Sequence, residues 1–599
     1  AEDRVNVSSS HPAERTRALD GHQCTFRYLK TIQYGNTEPF DSSTGGSNDF
    51  LFKVVFDYGE HTTTPPTSTT DTTWPVRQDP YSRFRSGFDI RCYRLCRRIL
   101  VFHDFTSELG GEVLVKSTDL TYAQSARGTV LTEACHTGWD GSSDLSTPPV
   151  QFGYTQPTLG TDVEFVEGLD DLPKSLDMSR YQWVDLDGEG LSGLLTEMGG
   201  AWWYKRNEGQ GVLGPMKKLG TRPNLGLQAV RLMDLDGNGR LDAVVMAPGL
   251  KGYMERTLEG GWEGFRSFKQ VPTEDWNDPD ARMLDLDGDG HADLLLTRDR
   301  VLRWYPSETK DGFGHARQVF KPHDEDDGPR IVFSSESEQI FLADMTGDGL
   351  TDLVRIRNGS VCYWPNRGYG RFGARVIMNN VRWFDNADQF DPKRIRLADL
   401  DGTGPTDLVY LHRDGPRLYF NRCGNGFDDA VQFPFPPTHN MATITVADIR
   451  GDGTACLVWS SPLLSESFAP LRYVRLMSEG KPWLLTSVDN NMGRTTALEY
   501  TPSTVYYAND RRDGKPWASR LPFPVQCLSK VTTVDAITGW RFTQAYAYHH
   551  GYFDGAEREF RGFGLMDQWD TEAVSEFDTE ATNEDVEHYL PPVRTRTWF

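Results

Sequence analysis

The chain has 599 residues, too many for one hydrophobic core, and is expected to divide into roughly two to four domains. Its formal charge of −23 repels phosphate backbones and anionic lipid, which argues against nucleic acid or a membrane surface as primary partner. No apolar run approaches the roughly 18 residues of a membrane span, and no leader pattern follows Ala1, so no signal peptide is read here.

Residues 1–24 are polar and aperiodic and are expected to be a disordered lead-in. From Tyr28 the pattern turns to strands (RYLKTIQYGN, LFKVVFDYGE), broken by a Thr/Pro/Ser-rich surface loop at 61–73. FDIRCYRLCRRILVFHDF and VLVKSTDLTYA continue it, and 25–157 is taken as one β-rich segment. Eight scattered cysteines do not suggest a disulfide framework, and Cys92 and Cys96 lie too far along a strand to bridge easily.

A repeat occupies 158–480. Acidic loops begin at Asp185, Asp234, Asp285, Asp344, Asp399 and Asp448, spaced 49 to 59 residues apart. Each follows an apolar strand; most precede a second apolar strand, and several a third, aromatic one (AWWYKRN, LRWYPS, VCYWPNRG, RLYFNRC). About fifty residues suits one four-stranded blade, so the expected fold is all-β: a roughly six-bladed β-propeller of FG-GAP/VCBS-like repeats. A stacked solenoid of hairpins is the alternative, since period does not establish closure. Trp202, Trp203, Trp304, Trp364 and Trp383 recur at matching positions; most are expected between blades, a few on a rim. After Lys481 the repeat stops, and 481–599 reads as further β-structure with an acidic tail. The closing run TRTWF, strand-like and uncapped, suggests a piece of a longer polypeptide.

In DLDGDGHAD, oxygen ligands fall at positions 1, 3, 5 and 9 with glycine at 6, the donor set of a Ca²⁺ loop. Converging carboxylates repel unless a cation sits among them. The candidate structural Ca²⁺ ligands are Asp234, Asp236, Asn238 and Asp242; Asp285, Asp287, Asp289 and Asp293; Asp344, Thr346, Asp348 and Asp352; and Asp399, Asp401, Thr403 and Asp407. The last two loops lose an anionic ligand and should bind more weakly. The loop at Asp185 has Gly193 at position 9, and that at Asp448 has Arg450, able to pair with Asp448 or Asp452. The competing reading is a tight turn whose Asp side chains cap backbone N–H groups with no metal.

Catalytic signals are weak. GYGRFG (368–373) matches GxGxxG but precedes no helix, so it reads as a blade turn. Cys135-His136 and His549-His550 are strand neighbours that face opposite ways. No nucleophile or acid–base pair stands out, and the chain is expected not to be an enzyme.

Several stretches carry a family resemblance: RYLKTIQYGN, FDYGEH, FDIRCYRLCRR, STDLTY, LADMTGDGLTDLVRIRNGSVCYWPNRGYGRFG, ACLVWSSPL, NNMGRTTALEYTPST, GKPWASRLPFPV and YAYHHGYFDGAEREFRGFG. From about residue 25 onward the chain resembles the middle region of the B component of bacterial Tc insecticidal toxin complexes. The resemblance implies RHS-like β-shell segments at 25–157 and 481–599 flanking the propeller. It implies a shell formed with a C component around toxin cargo, and a propeller that docks on the pore-forming A component and gates cargo release. It also implies a secreted protein; the ADP-ribosyltransferase segment of some relatives is not found here. The rival reading is a secreted, Ca²⁺-braced propeller that binds carbohydrate or a cell-surface protein. A third, a hydrolase with acids in the central channel, has no nominated residues.

Overall fold

The computed structural model describes residues 7–8, 10–17, 24–25, 27–38, 49–61, 65–141, 143–172, 180–220, 226–247, 249–257, 260–335, 339–434, 441–463, 470–570 and 591–599. Among them are six four-stranded antiparallel sheets, one per repeat. Blade 1 comprises Tyr181–Val184, Gly193–Met198, Ala201–Asn207 and Leu213–Lys218, in that order across the sheet. Blades 2 to 5 repeat the scheme, their first strands being Val230–Met233, Ala281–Leu284, Ile340–Ala343 and Ile395–Ala398.

Blade 6 differs. Thr443–Ala447, Cys456–Ser460 and Leu471–Arg475 supply three strands, and the fourth is Val163–Phe165, from ahead of blade 1. Val163 pairs with Val474, and Phe165 with Arg472. The first strand of the repeat region thus completes the last blade and locks the ring. Packing agrees: five apolar clusters join successive blades, and a sixth sets Leu194 and Leu213 of blade 1 against Val458, Leu471 and Tyr473 of blade 6. An open stack would leave two end faces bare. The expected six-bladed propeller is therefore present and closed.

The second strand of each blade is sandwiched between neighbours, so both its faces are apolar. Asp293–Thr297 is buried throughout, and so is Asp407–His412. That explains continuous runs such as LLL rather than alternation; each such side chain contributes about 1.5–3 kcal/mol on burial. Trp202, Trp304 and Trp364 lie between blades, whereas Trp383 is 64% exposed.

The flanking segments form one 13-stranded sheet, called the frame below. Its strands before the propeller include Phe50–Asp57, Arg98–Phe105, Gly111–Gln124, Thr129–Asp140 and Val150–Tyr154. Those after it are Leu485–Asp489, Arg494–Pro502, Gln526–Asp535, Trp540–Asp554, Glu559–Trp569 and Arg594–Trp598. The two halves join directly: Gln151 pairs with Asp489 and Phe152 with Val488. The propeller is an excursion between adjacent strands, and its exit and return are tied by Thr155 N–H to Leu484 O, 2.9 Å.

The expected disordered lead-in needs correction over residues 10–17. Pro12–Glu14 form a 3₁₀ turn, and Ala13, Glu14, Thr16 and Arg17 are buried. Arg17 Nε donates to Asp89 Oδ2 (2.9 Å), and Arg91 Nη2 donates to Glu14 Oε1 (2.5 Å). A polar segment orders here because its charges find buried partners. The acidic stretch 571–590 lies outside the described residues. Every described cysteine whose side chain is placed is a free thiol. No helix among the described residues is long and apolar enough to cross a membrane.

Candidate functional site: the acidic face of the propeller

Each acidic loop joins the first and second strands of its blade, so all six lie on one face of the ring. The leading aspartate accepts from amides ahead of it. Asp285 takes Gly288 N–H (2.7 Å) and Gly290 N–H (2.9 Å); Asp399 takes Gly402 (2.8 Å) and Gly404 (3.1 Å). Gly288 and Gly290 have φ of +85° and +91°, the left-handed region that glycine enters freely. Asp234 caps Asn238 and Gly239, and Asp344 caps Gly347 and Gly349. The ninth-position aspartates weld the loop to the turn after the third strand. Asp293 accepts from Leu286 (3.0 Å) and Ser307 (2.7 Å), and Asp407 from Leu400 (2.7 Å) and Asn421 (2.6 Å). Asp352 accepts from Met345 and Asn366, and Asp242 from Leu235. Asn238, Asp289 and Asp348 each cap the amide two residues on, Thr346 donates its amide to Asp344, and the Thr403 hydroxyl donates to Asp401.

Two groups of carboxylates converge, with ligand oxygens within 4.8 Å of one another: Asp285, Asp287 and Asp289, and Asp399, Asp401 and Asp407. No such group of three forms in the loops of Asp234 or Asp344 among the described residues. Burial raises the Asp293 carboxyl to about 8, and the Asp242 and Asp185 carboxyls to about 7. Asp352 and Asp407 are pushed well up for the same reason, with neighbouring aspartates adding to it.

The loops also carry contacts that sequence reasoning missed: every one touches the frame or a segment packed on it. In loop 1, Tyr507 donates to Glu189 from the helix Ser503–Arg512. In loop 2, Gly237 lies against Gly555, where a Cβ would fall 1.5 Å from Gly237 O. In loop 3, Arg558 Nη1 donates to Asp285 Oδ2 and Gly288 O, both 3.0 Å. In loop 4, Phe84 N–H donates to Asp348 Oδ2 (2.7 Å), with Arg85 on the Asp348 carbonyl. In loop 5, Arg127 Nη1 reaches Asp401 Oδ2 (3.0 Å). In loop 6, Thr504 donates to Gly451 O and Gln526 to Asp452 O. Lys310 of blade 3 pairs with Asp236, Arg206 and Arg256 with Asp187, and Arg450 with Asp452 (3.3 Å). Cations of the chain itself therefore already meet much of the carboxylate charge. GYGRFG forms the turn between the third and outer strands of blade 4. His549 lies between Asp510 (2.5 Å) and Asp567 (3.5 Å), while His550 accepts from Ala518 N–H on the other side.

Fold and site together define an all-β scaffold: a closed propeller seated by its acidic face on an open sheet. Residues 421–599 match the family described as insecticide toxin TcdB middle/N-terminal region, and residues 1–105 match that of the Salmonella virulence plasmid 65kDa B protein. A Photorhabdus luminescens Tc holotoxin pore structure aligns over 96% of this chain and 27% of that chain, at 32% identity and a TM-score of 0.84. A crystal structure of TcdB2-TccC3 aligns over 96% of this chain and 28% of that one, at 31% identity and a TM-score of 0.74. The resemblance to the B component of Tc toxin complexes is thereby borne out.

A curated relative, the mono(ADP-ribosyl)transferase SpvB of Salmonella typhimurium, is 41% identical over 118 residues, 18% of this chain and 20% of the relative. The chain thus spans about a fifth of the length of that relative. This match corrects the expectation that the chain is not an enzyme: a relative of its N-terminal segment bears an enzyme's name. The weak catalytic signals at 135–136, 368–373 and 549–550 all lie outside 1–105, where the kinship lies.

Proposed function

We propose that this chain is the B-type part of a secreted toxin complex. Its propeller is the docking platform and gate for a pore-forming A component, and its frame is part of the wall around the cargo of a C component. The observation that carries this reading is the mounting of the ring. The propeller leaves and re-enters one sheet between adjacent strands and sits acidic face down, with its opposite face turned away from the loops that meet the frame. Trp383, packed beside Gly359 in the turn between the second and third strands of blade 4 and so at the end away from the acidic loops, stands 64% exposed, the kind of aromatic that anchors an interface. Similarity to a Tc holotoxin pore and to TcdB2-TccC3 supports the same partners. Binding of the full chain to the immobilised A component tests the reading. Tight binding that weakens at least tenfold in Trp383→Ala is expected, and no binding by the unaltered chain overturns it.

We also propose that loops 3 and 5 hold Ca²⁺ as a structural brace, through Asp285, Asp287 and Asp289 and through Asp399, Asp401 and Asp407. Each keeps three carboxylates within reach of one ion, an all-oxygen set suited to it. A chelator should then lower the melting temperature, and Asp285→Ala with Asp287→Ala should remove part of that shift. No chelator effect would mean that the loops are turns braced by amides and by Arg558 and Arg127.

A further inference from the structure

We propose that the bore of the propeller is a binding site for an acidic polypeptide segment, built by Arg231, Arg282 and Arg396. The first strand of each blade lies nearest the axis. Successive first strands approach one another there, and Arg396 Nε of blade 5 donates to Ile444 O of blade 6 at 2.9 Å. The outermost strands, such as Arg317–Phe320, are by contrast largely exposed at the rim. Three residues before the leading aspartate of each acidic loop stand Gln182, Arg231, Arg282, Phe341, Arg396 and Thr445. These positions share a register, so they form one tier around the bore.

Three of the six are arginine in a chain of net charge −23. Among the described residues none of the three has a carboxylate partner. Each is held by main-chain carbonyls: Arg231 Nη2 on Trp276 O (3.1 Å), Arg282 Nη1 on Pro279 O (2.9 Å) and Ala281 O (2.7 Å), and Arg396 Nη1 on Lys393 O (2.7 Å). Arg282 also lies over Phe333, with its guanidinium carbon 4.8 Å from the ring centroid. Carbonyls orient a guanidinium but do not neutralise it. Burial, and then the charge of Arg282, lowers the Arg231 pKa from its ordinary value, so these two neighbouring guanidiniums oppose one another, while burial alone lowers that of Arg396. A blade-to-blade staple would need the hydrogen bonds but not three unmatched charges. Carboxylates entering the bore relieve that repulsion, and the planar fork of arginine suits them. Gln182 and Thr445 add hydrogen-bonding groups, and Phe341 an apolar wall.

This inference deepens the gate reading by naming what the bore prefers, but its test needs no A component, so the two fail separately. A fluorescein-labelled hepta-glutamate peptide is titrated into the full chain at low salt and followed by anisotropy. Arg231→Gln, Arg282→Gln and Arg396→Gln combined should weaken binding at least tenfold and flatten its salt dependence. Gln182→Arg, which adds a fourth guanidinium to the tier at a position whose side chain makes no hydrogen bond among the described residues, should tighten binding several-fold. That variant keeps the test decisive if the triple variant folds poorly. Equal affinity in wild type and Gln182→Arg would overturn the proposal. So would equal binding of hepta-lysine, or displacement of the peptide by inorganic phosphate at matching concentration.

Discussion

The propeller and the frame are both antiparallel β-structure, yet they are stabilised differently. Each blade buries its second strand on both faces, and six apolar clusters run round the ring. The frame has longer strands of intermediate burial, such as Thr129–Asp140 and Arg494–Pro502. One of its clusters is small: Val55, Leu100, Phe102 and Leu114. Another includes Leu191 of propeller loop 1, packed with Tyr507, Trp517 and Leu521. The ring carries its own core, whereas the frame borrows part of its core from the ring. Stability of the frame should therefore depend on the propeller more than the reverse.

The hardest way to break this asymmetry is to strike the ring. Trp304→Ala empties a buried site between blades 3 and 4 and should cost about 3–5 kcal/mol. Denaturant unfolding should show frame and propeller signals falling together; loss of the propeller signal alone would contradict a dependent frame.

The lead-in gives the next effect. Burial alone would raise the Glu14 carboxyl, but Arg91 and Arg17 hold it below its ordinary 4.5. A depressed acid pKa contributes stability that is complete above the unfolded value and is lost as pH falls through the folded one. Docking of residues 10–17 should thus weaken below about pH 4.5. Glu14→Ala, which strands Arg91, should cost about 3 kcal/mol at neutral pH and abolish that acid dependence. Protease cleavage near residue 15 against pH reads both.

Gly555→Ala should act on the seam alone. Its Cβ would overlap Gly237 O, so the hairpin Trp540–Trp569 must lift off loop 2, at about 1–3 kcal/mol. Amide exchange should rise in that hairpin while the blade second strands stay protected.

The smallest effects belong to the partly exposed seam arginines. Arg558→Ala should cost about 0–1 kcal/mol, and Arg127→Ala more, because its partner Asp401 is buried. Because the two sites lie on different loops, their costs should add; added salt should reproduce part of the loss.

Local spacing alone determined the number of blades, the place of the acidic loops and the continuous apolar second strands. Those features depend on residues within one repeat, whose burial pattern is written as periodicity. The caps on Asp285 and Asp399 were legible for the same reason, since their partners lie three and five residues on. The N-terminal kinship with an enzyme was not, because no catalytic constellation marks residues 1–105. Tertiary structure alone decided that Val163–Phe165 closes the ring, that strands 150–154 and 485–489 are neighbours, and that Glu14 and Arg17 are buried. It also decided that Arg127 and Arg558 meet carboxylates more than 270 positions away. Such pairings join groups whose partners are remote along the chain. A hydrogen bond or ion pair leaves no periodic trace in either partner's neighbourhood, so only the assembled molecule reveals it.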